Sequence, residues 1–352
     1  MNEPLAERLR PKTLSDYLSQ NHLIGENGSL TQQIKQGLIP SMIFWGPPGT
    51  GKTTLAHIIA SESGRPFYTL SAINSGVKDI RDVIDKAKQS GGLFTTKNPI
   101  LFIDEIHRFS KSQQDSLLQA VEKGWITLIG ATTENPSFEV IPALLSRCQV
   151  FNFDRIQIPE IVSHLQGIAK DEHIEAEEDA LHLIAQKADG AMRDALSIFD
   201  QMASFGKDGK ITYADVIENL NILDYDYYFK MLDGFLEGDI SSVLVNYDEI
   251  QRNGFDGQLF INGLANHFRD LLVAQNANSQ QLLEKSKEIA GRYHKQALAV
   301  TPSFIINAIN ILGETDMNYK TSRNTRLHVE LCLIKLASLQ HAIDVTKKKS
   351  LG

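Results

Sequence analysis

Residues 41–56 read SMIFWGPPGTGKTTLA, and within them Gly46-Pro47-Pro48-Gly49-Thr50-Gly51-Lys52-Thr53 satisfies G-x-x-x-x-G-K-[ST]. The motif follows an apolar run and opens a helical stretch, TTLAHIIASES, which is the strand-loop-helix context it needs to act as a phosphate cradle. Glycines let successive backbone N–H groups curl around an anion, and the helix that starts near Lys52, Thr53 and Thr54 adds its partial positive charge. Lys52 is expected to reach the outer phosphates and the Thr53 hydroxyl to ligate magnesium, so ATP and Mg2+ are the expected ligands. A glycine-rich turn is the bland alternative, and the flanking strand and helix weigh against it.

Outward from this loop, SMIFWG (41–46), PFYTLSA (66–72), PILFIDE (99–105), WITLIGATT (125–133) and QVFNF (149–153) read as buried strands separated by amphipathic stretches. Strands apolar on both faces and alternating with helices predict an α/β fold with a parallel five-stranded sheet covered on both sides. The run Pro99 to Glu105 ends in two acids, which makes Asp104 the expected metal-side carboxylate and Glu105 the expected general base. Strands often end in acids; the upstream phosphate loop is what gives this pair its meaning. In a phosphate-loop ATPase the strand between the two motif strands carries a polar group that reads the terminal phosphate. Thr133 is the first candidate and Thr132 the second, against ordinary polar residues at a strand end.

The chain has 352 residues, 42% of them hydrophobic and 22% charged, enough for two to three domains and a sizeable core without metals or disulfides. Wholesale disorder is excluded. No apolar run approaches a bilayer span, and the start, MNEPLAERLRPKT, lacks a basic-then-apolar leader, so no membrane partner and a cytoplasmic, nucleoid-associated location are expected. Two cysteines, Cys148 and Cys332, read as reduced structural thiols. Residues 1–150 hold 15 Lys and Arg against 14 Asp and Glu, a net +1, so within the overall −8 residues 151–352 carry −9. A nucleic-acid partner must therefore meet a local basic face rather than a bulk field. The acidic run DEHIEAEED (171–179) is taken as a solvated face. From Pro159 the texture is continuously helical, no strand pattern returns, and VTKKKSLG reads as a frayed end. The expected domains are 1–153 for nucleotide binding, a helical lid at 154–221, a helical collar at 222–345 and a tail at 346–352.

Two resemblances refine this. Residues 3 to about 150 resemble the replication-associated recombination protein A family in PLAERLRPKTL, SMIFWGPPGTGKTTLA, LSAINSGVKDIRDVI, ILFIDEIHRFSKSQQDSLL and LIGATTENPSFEVIPALLSRC. Residues 151 to about 345 resemble the lid and collar of the bacterial DNA polymerase III gamma/tau subunit in KADGAMRDALSIFDQ, ENLNILDYDYYF, NGFDGQLFINGLANHFRDLLV and MNYKTSRNTRLHVELCLIKLA. Both belong to the clamp-loader clade of AAA+ ATPases, so the resemblance implies an AAA+ P-loop NTPase followed by an α-helical lid and an α-helical collar, a hybrid either natural or engineered. Residues 54–98 lack the four-cysteine zinc module usual in gamma/tau, and Ser19 in Leu18-Ser19-Gln20 replaces a glycine usual in the adenine-side motif.

By the same resemblance, Ser146-Arg147-Cys148 is the segment that presents an arginine finger to a neighbour's ATP; a surface cation is the plain alternative. Arg193 in Gly190-Ala191-Met192-Arg193-Asp194 takes the place of a lid arginine on the γ-phosphate, with Asp194 as its plain partner. Arg8, Arg10 and Pro11 match a segment that wraps the adenine. Lys78 and Arg81, after Ser75-Gly76, match a place where clamp-loader subunits follow the DNA backbone, with Arg108 and Lys111 as the other candidates and a solvated helix face as the alternative. The implied function is an ATPase that closes a ring around primed or branched DNA or loads a sliding clamp together with identical or different clamp-loader subunits, with a collar-built pentamer ranked ahead of a tetramer. The alternatives are recombination and fork maintenance, a non-hydrolysing scaffold subunit, or a protein unfoldase; the last is disfavoured because the loop Ala72 to Gly76 has no aromatic.

Overall fold

The structure, a computed structural model, describes residues 4–26, 28–72, 76–90, 98–206 and 209–350. Five strands, β1 (Met42–Trp45), β2 (Phe67–Ser71), β3 (Ile100–Asp104), β4 (Thr127–Thr132) and β5 (Gln149–Asn152), form one parallel sheet in the order β2-β3-β4-β1-β5. The two-residue period of a strand splits its side chains between two cores. Met42 and Phe44 of β1, Ile100 and Phe102 of β3, and Ile129 and Ala131 of β4 pack with Leu55, Ala56 and Ile59 from the helix Lys52–Ser63. The intervening Ile43, Leu101, Ile103 and Leu128 pack against Ile80, Ile84 and Ala87 of the helix Val77–Ser90 and Leu117 and Ala120 of the helix Lys111–Glu122. The last of these helices begins on a capping box between Ser110 and Gln113.

The chain forms two compact units, Met1–Ala176 with Leu183–Lys210, and Glu177–His182 with Ile211–Gly352. The first therefore holds the sheet together with the helices Ile158–Asp171 and Met192–Phe205 that follow it. One correction to the sequence reading arises. A second sheet exists, made of the two-residue strands Glu175–Ala176 and Lys210–Ile211, too short for a periodicity to register. The final helix runs over Thr325–Ser350, and Leu351 and Gly352 of the tail lie outside the described residues.

In the second unit the helices Tyr225–Glu237, Ile240–Arg252, Gly257–Ala274, Lys287–Ala297, Pro302–Tyr319 and Thr325–Ser350 enclose a core that includes Phe235, Tyr247, Phe260, Phe268 and Phe304. It also contains polar groups that are satisfied inside it. His267 lies 2.9 Å from the Tyr293 hydroxyl and 3.2 Å from Gln296, and burial holds its imidazole far below the usual range, at about 3. Asp270 pairs with Arg269 and Lys285 at 2.8 and 3.1 Å. Among the described residues no single helix is long and apolar enough to cross a membrane.

Candidate nucleotide site

The C-terminal ends of β1, β3 and β4 come together at one edge of the sheet, and each delivers one part of the site. The loop after β1 folds tightly. Gly51 has φ +95°, and a Cβ there would lie 2.2 Å from the Tyr17 hydroxyl, which donates to the Thr50 carbonyl at 3.2 Å. Gly49, at φ +72°, similarly meets Ala191, whose Cβ would be 2.6 Å from any Cβ at this position. No other residue type could occupy either position without moving the neighbour. The Thr50 hydroxyl donates to Pro47 O, and Thr53 and Thr54 lie half-buried in the first turn of the helix Lys52–Ser63.

Lys52 is 8% exposed, and its Nζ donates to Gly46 O at 2.7 Å and Pro47 O at 2.6 Å. Burial lowers its pKa to about 8, opposed by the Glu105 and Asp104 carboxylates. A buried ammonium held by neutral carbonyls, with two acids near, is a donor to which an anion restores stability. The Thr53 hydroxyl and the Asp104 carboxylate, a hard oxygen pair, fit a magnesium that retains water and phosphate ligands. Among the described residues no group of three or more His, Cys, Asp or Glu could hold a metal without such help.

Asp104 closes β3, and Glu105 follows at φ +54°, a reversal that swings its side chain away from the strand direction. Its Oε2 is 3.4 Å from the Thr133 hydroxyl and 3.1 Å from Nδ1 of His107. β4 lies between β1 and β3, so the threonine pair faces the acid. The two threonines differ: Thr133 donates to Glu105, whereas Thr132 is fully buried, its hydroxyl bonded to both the N–H and the carbonyl of Glu134. The reading of the sequence overlooked His107, although its spacing in Asp104-Glu105-Ile106-His107 was visible.

Arg193 is exposed in the first turn of the helix Met192–Phe205, two residues after the Ala191 that packs on Gly49. Among the described residues it forms no ion pair, and none with Asp194 in particular. The turn before it is held by Arg155, which pairs with the Asp189 carboxylate and donates to Asp189 O at 2.6 Å.

Arg147 lies elsewhere. Gln149 of β5 is level with Met42 of β1, so Arg147 stands at the edge of the sheet where strands begin, while the phosphate loop stands where β1 ends. A four-residue strand separates them by about 13 Å. Arg147 is 40% exposed, pairs with Glu122 at 2.6 Å and donates to Ala143 O and the Ser146 hydroxyl. Cys148 beside it is mostly buried, which pushes its thiol up to about 12 and leaves it unreactive.

The adenine-side residues divide. Arg8 pairs with Glu172 and Arg10 with Glu7, while Leu18 and Ser19 line a cavity of about 540 Å3 with Pro159, Glu160 and His164. Of Arg8, Arg10 and Pro11, two thus have acidic partners, at side chains that remain 46% and 37% exposed. Ser19 has φ +63°, a left-handed conformation that explains why glycine is usual there. Relief of about 1–2 kcal/mol of strain, less the entropy that glycine adds to the unfolded chain, gives an expected gain of roughly 1 kcal/mol for Ser19→Gly. A denaturation midpoint equal to or below wild type would contradict it.

Lys78 and Arg81 are exposed on the helix Val77–Ser90, but Asp79, Asp82 and Asp85 share that exposed surface. Asp79 also accepts from the Gly76 N–H at 2.7 Å, engaging a backbone donor expected to be open to phosphate. Ser75 lies outside the described residues, as do Ile73 and Asn74 of the loop 72–76. Arg108 and Lys111 are exposed directly after the acid strand.

Comparisons with known proteins agree with this layout. Residues 42–156 match the ATPase family associated with various cellular activities (AAA), 160–208 the ATPase lid domain of the DNA polymerase III clamp loader subunit, and 211–349 domain III of DNA polymerase III subunits gamma and tau. Replication-associated recombination protein A of Coxiella burnetii is 46% identical over 209 residues, covering 57% of this chain and 47% of that protein. The protein of the same name from Escherichia coli is 42% identical over 212 residues, 58% of this chain and 47% of that one. The ATPase WRNIP1 of Dictyostelium discoideum is 44% identical over 221 residues, 61% of this chain and 25% of its own length. The chain spans about half the length of the recombination proteins it matches, and these alignments extend beyond residues 3–150 into the lid region. Among solved structures, the RuvB Holliday junction branch migration motor of Thermotoga maritima aligns with a TM-score of 0.52 at 27% identity, covering 63% of this chain and 78% of that one.

Proposed function

We propose that this chain, whose successive segments match the AAA ATPase family, the clamp-loader ATPase lid and domain III of gamma and tau, hydrolyses ATP in a ring of subunits and uses the cycle to act on DNA. The observation that carries this reading is the division of the machinery between opposite edges of the sheet. Lys52, Asp104, Glu105 and Thr133 share one edge, while Arg147 stands at the other, out of reach of its own phosphate loop, which supports a role at a neighbour's site. In this scheme Lys52 holds the outer phosphates, Thr53 and Asp104 hold magnesium, and Glu105 accepts the proton of the attacking water. Bound magnesium supplies charge neutralisation at the phosphates. Thr133 and the uncommitted Arg193 orient and stabilise the terminal phosphate, and Arg147 of the next subunit completes the site.

Assembly is supported in the second unit. Ile306 and Met317 on the helix Pro302–Tyr319 and Leu327 and Leu331 on the helix Thr325–Ser350 are 47–76% exposed, and His328 bonds Thr315 O across the two helices. Exposed apolar residues on adjacent helices suit a packed collar. An intact phosphate loop and acid pair oppose the scaffold alternative. Recombination-type action on branched DNA is a second reading of the same machinery, favoured by the name of the relatives that match the nucleotide-binding half.

The test is ATP turnover with and without DNA. Primed or branched DNA is expected to stimulate hydrolysis, with a steep loss as salt rises because bound phosphates release counterions. Lys78→Glu with Arg81→Glu is expected to remove the stimulation. No response to either DNA at low salt would refute the DNA reading, and a larger response to branched than to primed DNA plus clamp would select recombination over clamp loading.

A further inference from the structure

We propose that His107 is a positioning residue that anchors the general base Glu105, an inference that rests on the ATPase reading above. His107 is 13% exposed, and its Nδ1 lies 3.1 Å from Glu105 Oε2 and 3.0 Å from the Thr132 hydroxyl. Hydrogen-bond accounting assigns its proton. The one hydroxyl hydrogen of Thr132 goes to Glu134 O at 3.0 Å, and its oxygen accepts from Glu134 N–H at the same distance. An ionised carboxylate can only accept. Both atoms facing Nδ1 are therefore acceptors, so Nδ1 carries a hydrogen, which it donates to the Thr132 hydroxyl, with Glu105 Oε2 beside it at 3.1 Å as its charge partner.

The consequence concerns the base. The glutamate side chain has three rotatable torsions, and at 28% exposure the surrounding protein does not fix them by packing alone. His107, held by the fully buried Thr132, ties down Oε2, with the longer Thr133 contact on the same oxygen. Oε1 makes no hydrogen bond among the described residues, which leaves it as the atom presented to a water. The short one-turn helix Ile106–Arg108 brings the imidazole back over Glu105 within two residues. Partners that orient a reactive group are typically worth 10- to 100-fold in activity.

The experiment measures kcat, KM and the affinity for a fluorescent ATP analogue. His107→Ala is expected to lower kcat by about 10- to 100-fold, with KM and analogue affinity within about twofold of wild type. His107→Asn, whose amide nitrogen falls near Nδ1, is expected to recover most of the loss; His107→Gln, whose amide falls near Nε2, is not. In a Glu105→Gln background, His107→Ala is expected to cost nothing further, since it acts through the base. A wild-type kcat in the folded Ala variant, a raised kcat, or Asn and Gln variants that behave alike would overturn the positioning role. If Glu105→Gln itself turned over at the wild-type rate, the base assignment and the ATPase scheme would fall with it, an outcome distinct from failure of His107 alone.

Discussion

Glu105→Gln is expected to bind ATP as tightly as wild type and to hydrolyse it about 10²- to 10⁴-fold more slowly, the usual worth of a positioned general base. The substitution preserves the size of the side chain and its ability to accept from Thr133 while removing the carboxylate that takes the proton. Lys52→Ala is expected to do the reverse, losing nucleotide binding, because a buried cation that now donates only to Gly46 O and Pro47 O is the group that must neutralise phosphate charge. The same lysine sets a pH dependence. Its pKa is lowered to about 8 by burial, so below that value the ammonium is already present, and above it the chain must take up a proton to bind an anion. Affinity is therefore expected to be flat below about pH 8 and to weaken by up to about tenfold per unit above it. Titration of a fluorescent nucleotide analogue from pH 7 to 10 measures this directly. Undiminished turnover in Glu105→Gln would show that another group is the base.

Arg147→Ala is expected to leave nucleotide affinity nearly unchanged and to reduce hydrolysis by a factor approaching the roughly 10³ to 10⁵ of an arginine finger. Within its own chain this guanidinium is bound to Glu122 and lies at the edge of the sheet remote from Lys52, so it makes no direct contact with the same subunit's phosphate loop. Mixing provides the decisive measurement. A ring containing both Arg147→Ala and Glu105→Gln subunits includes interfaces where an intact base meets an intact arginine, so activity is expected to return on mixing two inactive proteins. If the mixture co-assembles, as shown by mass, and stays inactive, Arg147 does not act across subunits.

The nucleotide loop and the acid pair were legible in the sequence because their chemistry is local. The loop motif encodes successive backbone conformations, and Gly49 and Gly51 do occupy the left-handed region it requires. Strands of a covered parallel sheet are apolar on both faces, so MIFW and ILFID declared themselves without knowledge of their neighbours. The two-residue strands lacked that signal, since no period can be read from two positions.

What the tertiary structure decided is everything that depends on which distant segments become neighbours. Strand periodicity states which side chains are buried but not which strand lies alongside, and crossover connections leave that choice to packing. Only the order β3-β4-β1 brings Thr133 to Glu105 across 28 residues of chain and separates it in role from the buried Thr132. Only the common strand direction shows that Arg147 faces away from its own phosphate loop. The acids that Arg8 and Arg10 pair with, Glu172 and Glu7, are likewise set by the fold and by a local turn. His107 escaped notice for the same reason: its proposed role depends on a contact with Thr132, 25 residues further on, that holds the imidazole beside Glu105.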